Sequence, residues 1–275
     1  MGKIVWLASY PKSGNTWLRV FLHNYIIQPE APYSINALTD FTAVESAAAF
    51  FTPYDARPAS AFSTADVQAM RPKVHADLMR LHEDLVFIKT HNAALKIHDV
   101  ELCTTAVSAG AVYIVRDPRD VAVSYARYTG QSVDQIIHFM GRQGAASRST
   151  DVQVFEYLSS WSAHVQSWIV RPRSLVVRYE DFKTDPVKAF GTVVHFLGDD
   201  ANPARLQKAI EFSGFDVVAK QEQMEGFQAH IPGAASAFFR EGKAGAWREV
   251  LTAAQVAQIE TDHGAMMRRL GYAAR

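Results

Sequence analysis

The chain is poor in the features that would give it an extracellular, membrane or metal-bound life. Its 275 residues hold one cysteine, Cys103, so an internal disulfide is excluded and a reducing compartment is expected, with the thiol buried as an inert small apolar group. No apolar run is long enough to span a bilayer, and the N-terminal one is broken by Lys12 too early for a signal peptide. Trp6 stands where a myristoylation signal needs Ser or Thr. Neither charge sign is in excess, with 28 basic and 28 acidic side chains, so no long-range pull toward nucleic acid or an anionic membrane is expected and any anion site must be local. The zinc and calcium signatures H-E-x-x-H, paired cysteines and D-x-D-x-D-G are missing, and no metal is expected. Repeats and low-complexity tracts are also lacking. A cytoplasmic protein is expected, with no nucleic-acid or membrane partner.

What is present is an alternation of strands and helices. Ile4–Ser9, Leu85–Thr90, Ala111–Val115 and Leu175–Arg178 are short β-branched and apolar runs without polar alternation, as in parallel strands covered on both faces. Trp17, Leu18, Phe21, Leu22 and Tyr25 make one apolar stripe of a helix after the first run. Asp117-Pro118 with Asp120, and Asp185-Pro186, carry helix-start chemistry. Val187, Phe190, Val194 and Leu197 are expected on the buried face of the second of these helices, which Gly198 ends. Thr252 with Gln255 forms a capping box for a last helix, terminated by Gly271. The fold expected is α/β, a single-domain doubly wound parallel sheet flanked by helices, with ligands beyond the C-terminal strand ends. Residues 28–84 and 128–150 break the rhythm as insertions, either tolerated surface or walls and lid over a substrate.

The first strand runs into Tyr10-Pro11-Lys12-Ser13-Gly14-Asn15-Thr16-Trp17, a small polar turn that launches a helix. Unpaired amides at that helix start, the helix dipole and the mobile charge of Lys12 suit an anion. A Walker A loop places its lysine after the last glycine and follows it with a hydroxyl for magnesium; here Lys12 precedes Gly14. The same four residues Pro-Lys-Ser-Gly also make an ordinary surface turn.

Each later strand ends on chemically loaded residues: Lys89-Thr90-His91, Arg116-Asp117-Pro118-Arg119-Asp120 with Ser124 further along the helix, and Arg178-Tyr179-Glu180-Asp181. In a parallel sheet, Lys12, Lys89, His91, Arg116 and Ser124 are expected to converge on one cationic crevice. Arg116 and Ser124 suit one phosphate, and Lys12 with the loop amides another. Trp17 and Tyr179 are placed to sandwich an aromatic base. Plain structural roles stand beside these: Trp17 or Tyr179 as core, Arg116 as an ion-pair partner. Positive charge from Lys89 and Lys12 is expected to depress the pKa of His91 and keep its imidazole neutral, able to take a proton from an alcohol or phenol.

These segments together resemble the cytosolic-type sulfotransferases that use 3′-phosphoadenosine 5′-phosphosulfate (PAPS). Tyr10 to Trp17 is similar to that family's 5′-phosphosulfate loop, and Val115 to Tyr125 to its 3′-phosphate segment. Phe239 to Trp247 resembles the glycine-containing loop over the 3′-phosphate, Lys89-Thr90-His91 the Lys-x-His of the catalytic base, Tyr179-Glu180-Asp181 the adenine-side tyrosine and Ser213-Gly214-Phe215 an adenine-contact segment. The resemblance implies a fold related to the P-loop nucleotide-binding proteins and one sulfotransferase domain over residues 1–275. It implies PAPS as donor, adenosine 3′,5′-bisphosphate (PAP) as product and no metal. His91, Lys12 and Lys89 would be catalytic. Lys12, Ser13, Gly14, Asn15, Thr16, Trp17, Arg116, Ser124, Tyr179, Ser213, Phe215, Arg240, Glu241 and Gly242 would bind the nucleotide. Glu241 stands where the family commonly has a second basic residue, a contact that Lys243 is placed to supply. The implied partner is a small-molecule acceptor with a hydroxyl or amine, and a homodimer is compatible. A nucleotide kinase or other phosphoryl transferase, and a nucleotide-binding module without catalysis, are the alternatives that the residues alone leave open.

Overall fold

A computed structural model of the protein describes residues 2–227, 238, 239 and 242–272. In chain order, β1 (Lys3–Ser9) is followed by α1 (Asn15–Ile27), β2 (Thr42–Val44), α2 (Thr64–Leu78) and β3 (Leu85–Thr90). A small antiparallel pair, β4 (Lys96–Ile97) and β5 (Val100–Glu101), precedes β6 (Ser108–Val115). Then come α3 (Pro118–Thr129), α4 (Val133–Gly141), α5 (Trp161–Ile169) and β7 (Ser174–Arg178). The chain ends with α6 (Tyr179–Thr184), α7 (Pro186–Phe196), α8 (Pro203–Phe212), α9 (Phe215–Glu225) and α10 (Ala253–Arg269). The main sheet has the order β2-β3-β1-β6-β7, and β3 pairs in parallel with both β1 and β2. All four expected strands are present, with β1, β6 and β7 starting earlier than the apolar runs suggest.

The chain divides into two compact units, the first made of Met1–Tyr10, Thr42–Tyr113 and Phe139–Val176, the second of Pro11–Phe41, Ile114–His138 and Val177–Arg275. In the first, the interior strand β1 buries Ile4, Trp6, Leu7 and Ala8 completely, which is why its sequence shows no polar alternation. Trp168 stacks on Tyr113 and donates to Asn92 O at 3.1 Å, and the Trp6 indole donates to Ser108 Oγ at 2.6 Å, so these two indoles are buried with their N–H groups satisfied. Cys103 is buried as expected, and burial pushes its thiol up to about 12, leaving no thiolate for chemistry. In the second unit α1 packs on α8, α7 on α6 and α8, and α10 on α3. Phe21 stacks on Phe190 at 3.9 Å in the middle of that packing.

Two local expectations need correction. Val187 is 51% exposed, and α7 instead buries Ala189, Phe190, Val193 and Val194, a stripe set by the helix's contact with α8. The stretch 28–84 holds α2, started by a full Ser63/Asp66 capping box and tolerating Pro72 inside it, and the edge strand β2. The start of α3 is as expected, with Asp117 at the N-cap accepting from the Arg119 amide and Pro118 and acidic Asp120 in the first turn, where Asp120 also accepts from the Gly245 and Trp247 amides.

The first unit also buries a charged cluster that apolar patterning could not show. Glu45 accepts from Arg71 and, through its other oxygen, from Asn92 Nδ2 at 2.8 Å, while His75 Nε2 lies 3.3 Å away. Burial alone would push the Glu45 carboxyl up, and the Arg71 charge and His75 outweigh it to hold it low. Asn92 in turn accepts the Tyr157 amide at 2.8 Å, so the cluster braces the turn that follows β3. Glu45→Ala is expected to cost about 3–5 kcal/mol, because Arg71 is left buried and unpaired. Urea titration measures it, and a loss below about 1 kcal/mol would contradict the bracing role.

Candidate functional site

In the second unit the turn before α1 is held in an unusual conformation. Lys12 has φ 65° and Gly14, the N-cap of α1, has φ 106°. The N-cap Gly14 has no side chain to cap α1 and no acidic residue occupies its first turn, so the positive end of its dipole favours an external anion. A Cβ on Gly14 would stand 2.7 Å from the Tyr179 ring, so the position requires glycine by both backbone and space. Ser13 Oγ and Arg116 Nε are buried, and neither has a hydrogen-bond partner among the described residues. Buried donors of this kind normally find acceptors, and their residue types fit phosphate oxygens.

Arg116 ties this turn to a second one. Its Nη1 donates to Lys12 O at 3.1 Å, its Nη2 to Lys243 O at 3.0 Å, and its guanidinium lies 4.5 Å over the Tyr179 ring. The Tyr179 hydroxyl donates to Gly242 O at 3.1 Å. Gly242, at φ 56°, lies so close to Phe215 that a Cβ there would sit 2.4 Å from its ring. Lys12, Arg116, Tyr179, Phe215 and Gly242 are therefore brought together. Ser124 lies half-buried on α3, nearly two turns after its start. Asn15 is buried and Thr16 half-buried at the head of α1.

Two expected contacts differ. Trp17 and Tyr179 meet edge to face at 5.7 Å, not as parallel walls, and Trp17 also meets Phe182 and Phe190. The Ser213 hydroxyl is spent on Ala209 O within its own helix, while its carbonyl accepts the Trp17 indole at 2.8 Å. Arg240 and Glu241 lie outside the described residues. A cavity of about 460 Å³ in this unit is lined by Asp120, Arg178, Glu180 and Trp247 among others, and by none of the cradle residues. Its carboxylates are used internally, Glu180 by the Asp117 amide and the Tyr272 hydroxyl, so it serves as the anchor of the 245–247 turn.

In the first unit, the end of β3 carries His91. Its Nδ1 lies 2.8 Å from Ser9 O; a carbonyl only accepts, so Nδ1 holds the proton and Nε2 carries the free lone pair. The His91 carbonyl accepts from His164 Nε2 at 3.0 Å, and His164 Nδ1 in turn accepts the Tyr113 hydroxyl at 2.9 Å. The His91 pKa falls to about 3, by burial first and by the Lys89 charge second, which corrects the expectation that neighbouring charge leads. Lys89 is not a free cation either: its Nζ donates to Glu156 Oε1 at 3.3 Å. The same oxygen lies 3.3 Å from the His91 amide and accepts from Ser46 Oγ at 3.0 Å. Burial pushes the Glu156 carboxyl up, but Lys89 and His91 pull it down to about 2. Glu156 was missed by sequence reasoning; its only signal is an acid inside the apolar run Val154 to Leu158. Among the described residues no group of His, Cys, Asp or Glu side chains is placed to hold a metal ion, and no helix is long and apolar enough to cross a membrane.

A model of the sulfotransferase domain matches residues 3–271. The chain belongs to the sulfotransferase family. Its sulfotransferase relatives include rat sulfotransferase 2A6, 28% identical over 54% of this chain and 52% of that one, so the chain spans about half the length of that relative. Dog sulfotransferase 1B1 is 22% identical over 90% of this chain and 78% of its own. Flavonol 3-sulfotransferase of Flaveria bidentis is 25% identical over 93% and 79%. Among solved structures, a retinol dehydratase in complex with androsterone and PAP superposes with a TM-score of 0.65 at 18% identity, over 96% of this chain and 80% of that one. Mouse sulfotransferase SULT7A1 with PAP gives 0.62 at 20% identity, over 97% and 85%. The sulfotransferase fold, a central parallel sheet flanked by helices, is thereby shown for this chain.

The histidines fix a pH signature for this member. His91 and His164 are held by burial at about 3 and about 4, below their ordinary value of 6.5. Below 6.5 the unfolded chain binds protons that the folded one does not, so stability falls as pH drops from about 6.5 toward 4. Thermal denaturation across that range should show a falling midpoint, with the fall reduced in His164→Gln. An equal fall in both proteins would contradict the assignment.

Proposed function

We propose that the protein moves a sulfuryl group from PAPS to a hydroxyl or amine on a small-molecule acceptor and releases PAP. The single observation that carries this reading is the glycine-walled start of α1, beside which Ser13 Oγ and Arg116 Nε are buried and lack partners among the described residues. Family membership favours sulfuryl over phosphoryl transfer and over a module without catalysis. Lys12 and the amides of Ser13 to Trp17 would hold the 5′-phosphosulfate. Arg116, Ser124 and the Gly242 turn would hold the 3′-phosphate, with Trp17, Tyr179 and Phe215 around the adenine.

The acceptor proton would pass to His91 Nε2 as the acceptor oxygen or nitrogen attacks sulfur and the bond from sulfur to the 5′-phosphate oxygen breaks. Lys12 would meet the charge that develops on that leaving oxygen, and Lys89, held by Glu156, the sulfuryl oxygens. An imidazole with so low a pKa is a weak base in the resting protein, and it remains neutral throughout the physiological range. Within residues 28–84 and 128–150, the parts that share a unit with His91 are read as acceptor-side walls. The single buried thiol supports a cytoplasmic setting.

Transfer of labelled sulfuryl groups from PAPS to a panel of phenols, alcohols and amines, run with EDTA present, tests the proposal. Turnover is expected with at least one class. His91→Ala should lower it by roughly 10²- to 10⁴-fold with little change in nucleotide affinity. Near-normal turnover in that variant would remove His91 as the base, and strict dependence on added magnesium would favour the phosphoryl-transfer reading.

A further inference from the structure

The Lys12 ammonium rests on two aromatic faces. Its Nζ lies 3.7 Å from the ring centroid of Phe238 and 4.1 Å from that of Tyr128. The two rings meet edge to face, 5.9 Å apart and at 85°. Tyr128 lies one turn beyond Ser124 on the same face of α3. Phe238 is fixed from behind: the amides of Phe238 and Phe239 donate to the two carboxylate oxygens of Glu222 at 2.6 and 2.7 Å, and both rings pack against Phe227. Phe227 belongs to an apolar cluster with Val20, Leu38 and Val218, so the platform under the lysine is built into the core of this unit.

Ring faces attract an ammonium through their quadrupole, and the attraction grows when water is kept out. A phosphate oxygen competes for the same group. We propose that Tyr128 and Phe238 are positioning residues that give the Lys12 ammonium a resting site, from which an incoming nucleotide phosphate must draw it, with Glu222 fixing the Phe238 ring. The inference rests on the reading of Lys12 as the phosphosulfate lysine. The rings therefore subtract from donor and product affinity, and by recapturing the lysine they speed release of PAP.

Two measurements test this. In the ligand-free protein, Lys12 acylation by acetic anhydride is followed by mass spectrometry against exposed Lys3 as internal reference. Tyr128→Leu and Phe238→Leu should each raise the Lys12-to-Lys3 ratio by about threefold or more, and Glu222→Gln, which frees the Phe238 ring and also removes a charge that raises the Lys12 pKa, should move it the same way. An unchanged ratio in all three overturns the resting site. Calorimetry with PAP then asks whether the rings act through Lys12. Tyr128→Leu should tighten PAP by about threefold to tenfold in the native background and not at all in Lys12→Ala. Weakened binding, or equal tightening in both backgrounds, overturns the proposal. If acylation responds as expected while the native protein fails to bind PAP, the resting site stands and the donor reading falls.

Discussion

The second unit depends on one guanidinium. Arg116 reaches the carbonyl of Lys12 with one nitrogen and that of Lys243 with another, lies over Tyr179, and keeps a third nitrogen that has no partner among the described residues. Each such charge-assisted bond contributes about 1.5–3 kcal/mol. Together they fix two turns that have little regular structure of their own. The strained conformation at Lys12 and the close approaches of Gly14 to Tyr179 and of Gly242 to Phe215 are tolerated because these bonds hold both turns at once. Asp120, one turn into the helix that follows Arg116, does the same for the chain at Gly245 and Trp247.

The first unit follows a different rule, in which buried charges and imidazoles are stacked and satisfied so that one lone pair is left over. Glu156 gathers Lys89, Ser46 and the His91 amide on one oxygen. Tyr113 and His164 fix the His91 carbonyl, and Ser9 fixes the proton on Nδ1. What remains is Nε2 of a neutral ring. Removing any one partner leaves the others buried and unpaired, so the arrangement is costly to alter piecemeal.

Much of this was legible in the sequence, for identifiable reasons. Interior parallel strands have no wet face, so β1 and β3 appear as unbroken apolar runs, and the residues at their ends are the ones their direction exposes. The Thr252/Gln255 and Asp117-Pro118 signals are local chemistry and need no tertiary context. The edge strand β2 is too short for any period to register, and α2 was hidden by Pro72 although Ser63 and Asp66 carried its start signal. Glu45, Glu156 and Glu222 act across long stretches of chain, on Arg71, Lys89 and Phe238, and no spacing rule brings such residues together. Val187 was placed on the wrong face because an apolar residue at the first turn satisfies helical periodicity whether or not a neighbour covers it.

The central claim is that the two turns joined by Arg116 are shaped for a nucleotide carrying a phosphate on its 3′ side. Calorimetry with PAP and AMP, on the native protein and on Arg116→Ala, tests it most directly. Lost charge-assisted bonds to one phosphate predict that PAP binds the native protein at least about tenfold more tightly than AMP. Arg116→Ala should narrow that gap by weakening PAP alone. Equal affinity of the native protein for the two nucleotides would contradict the account.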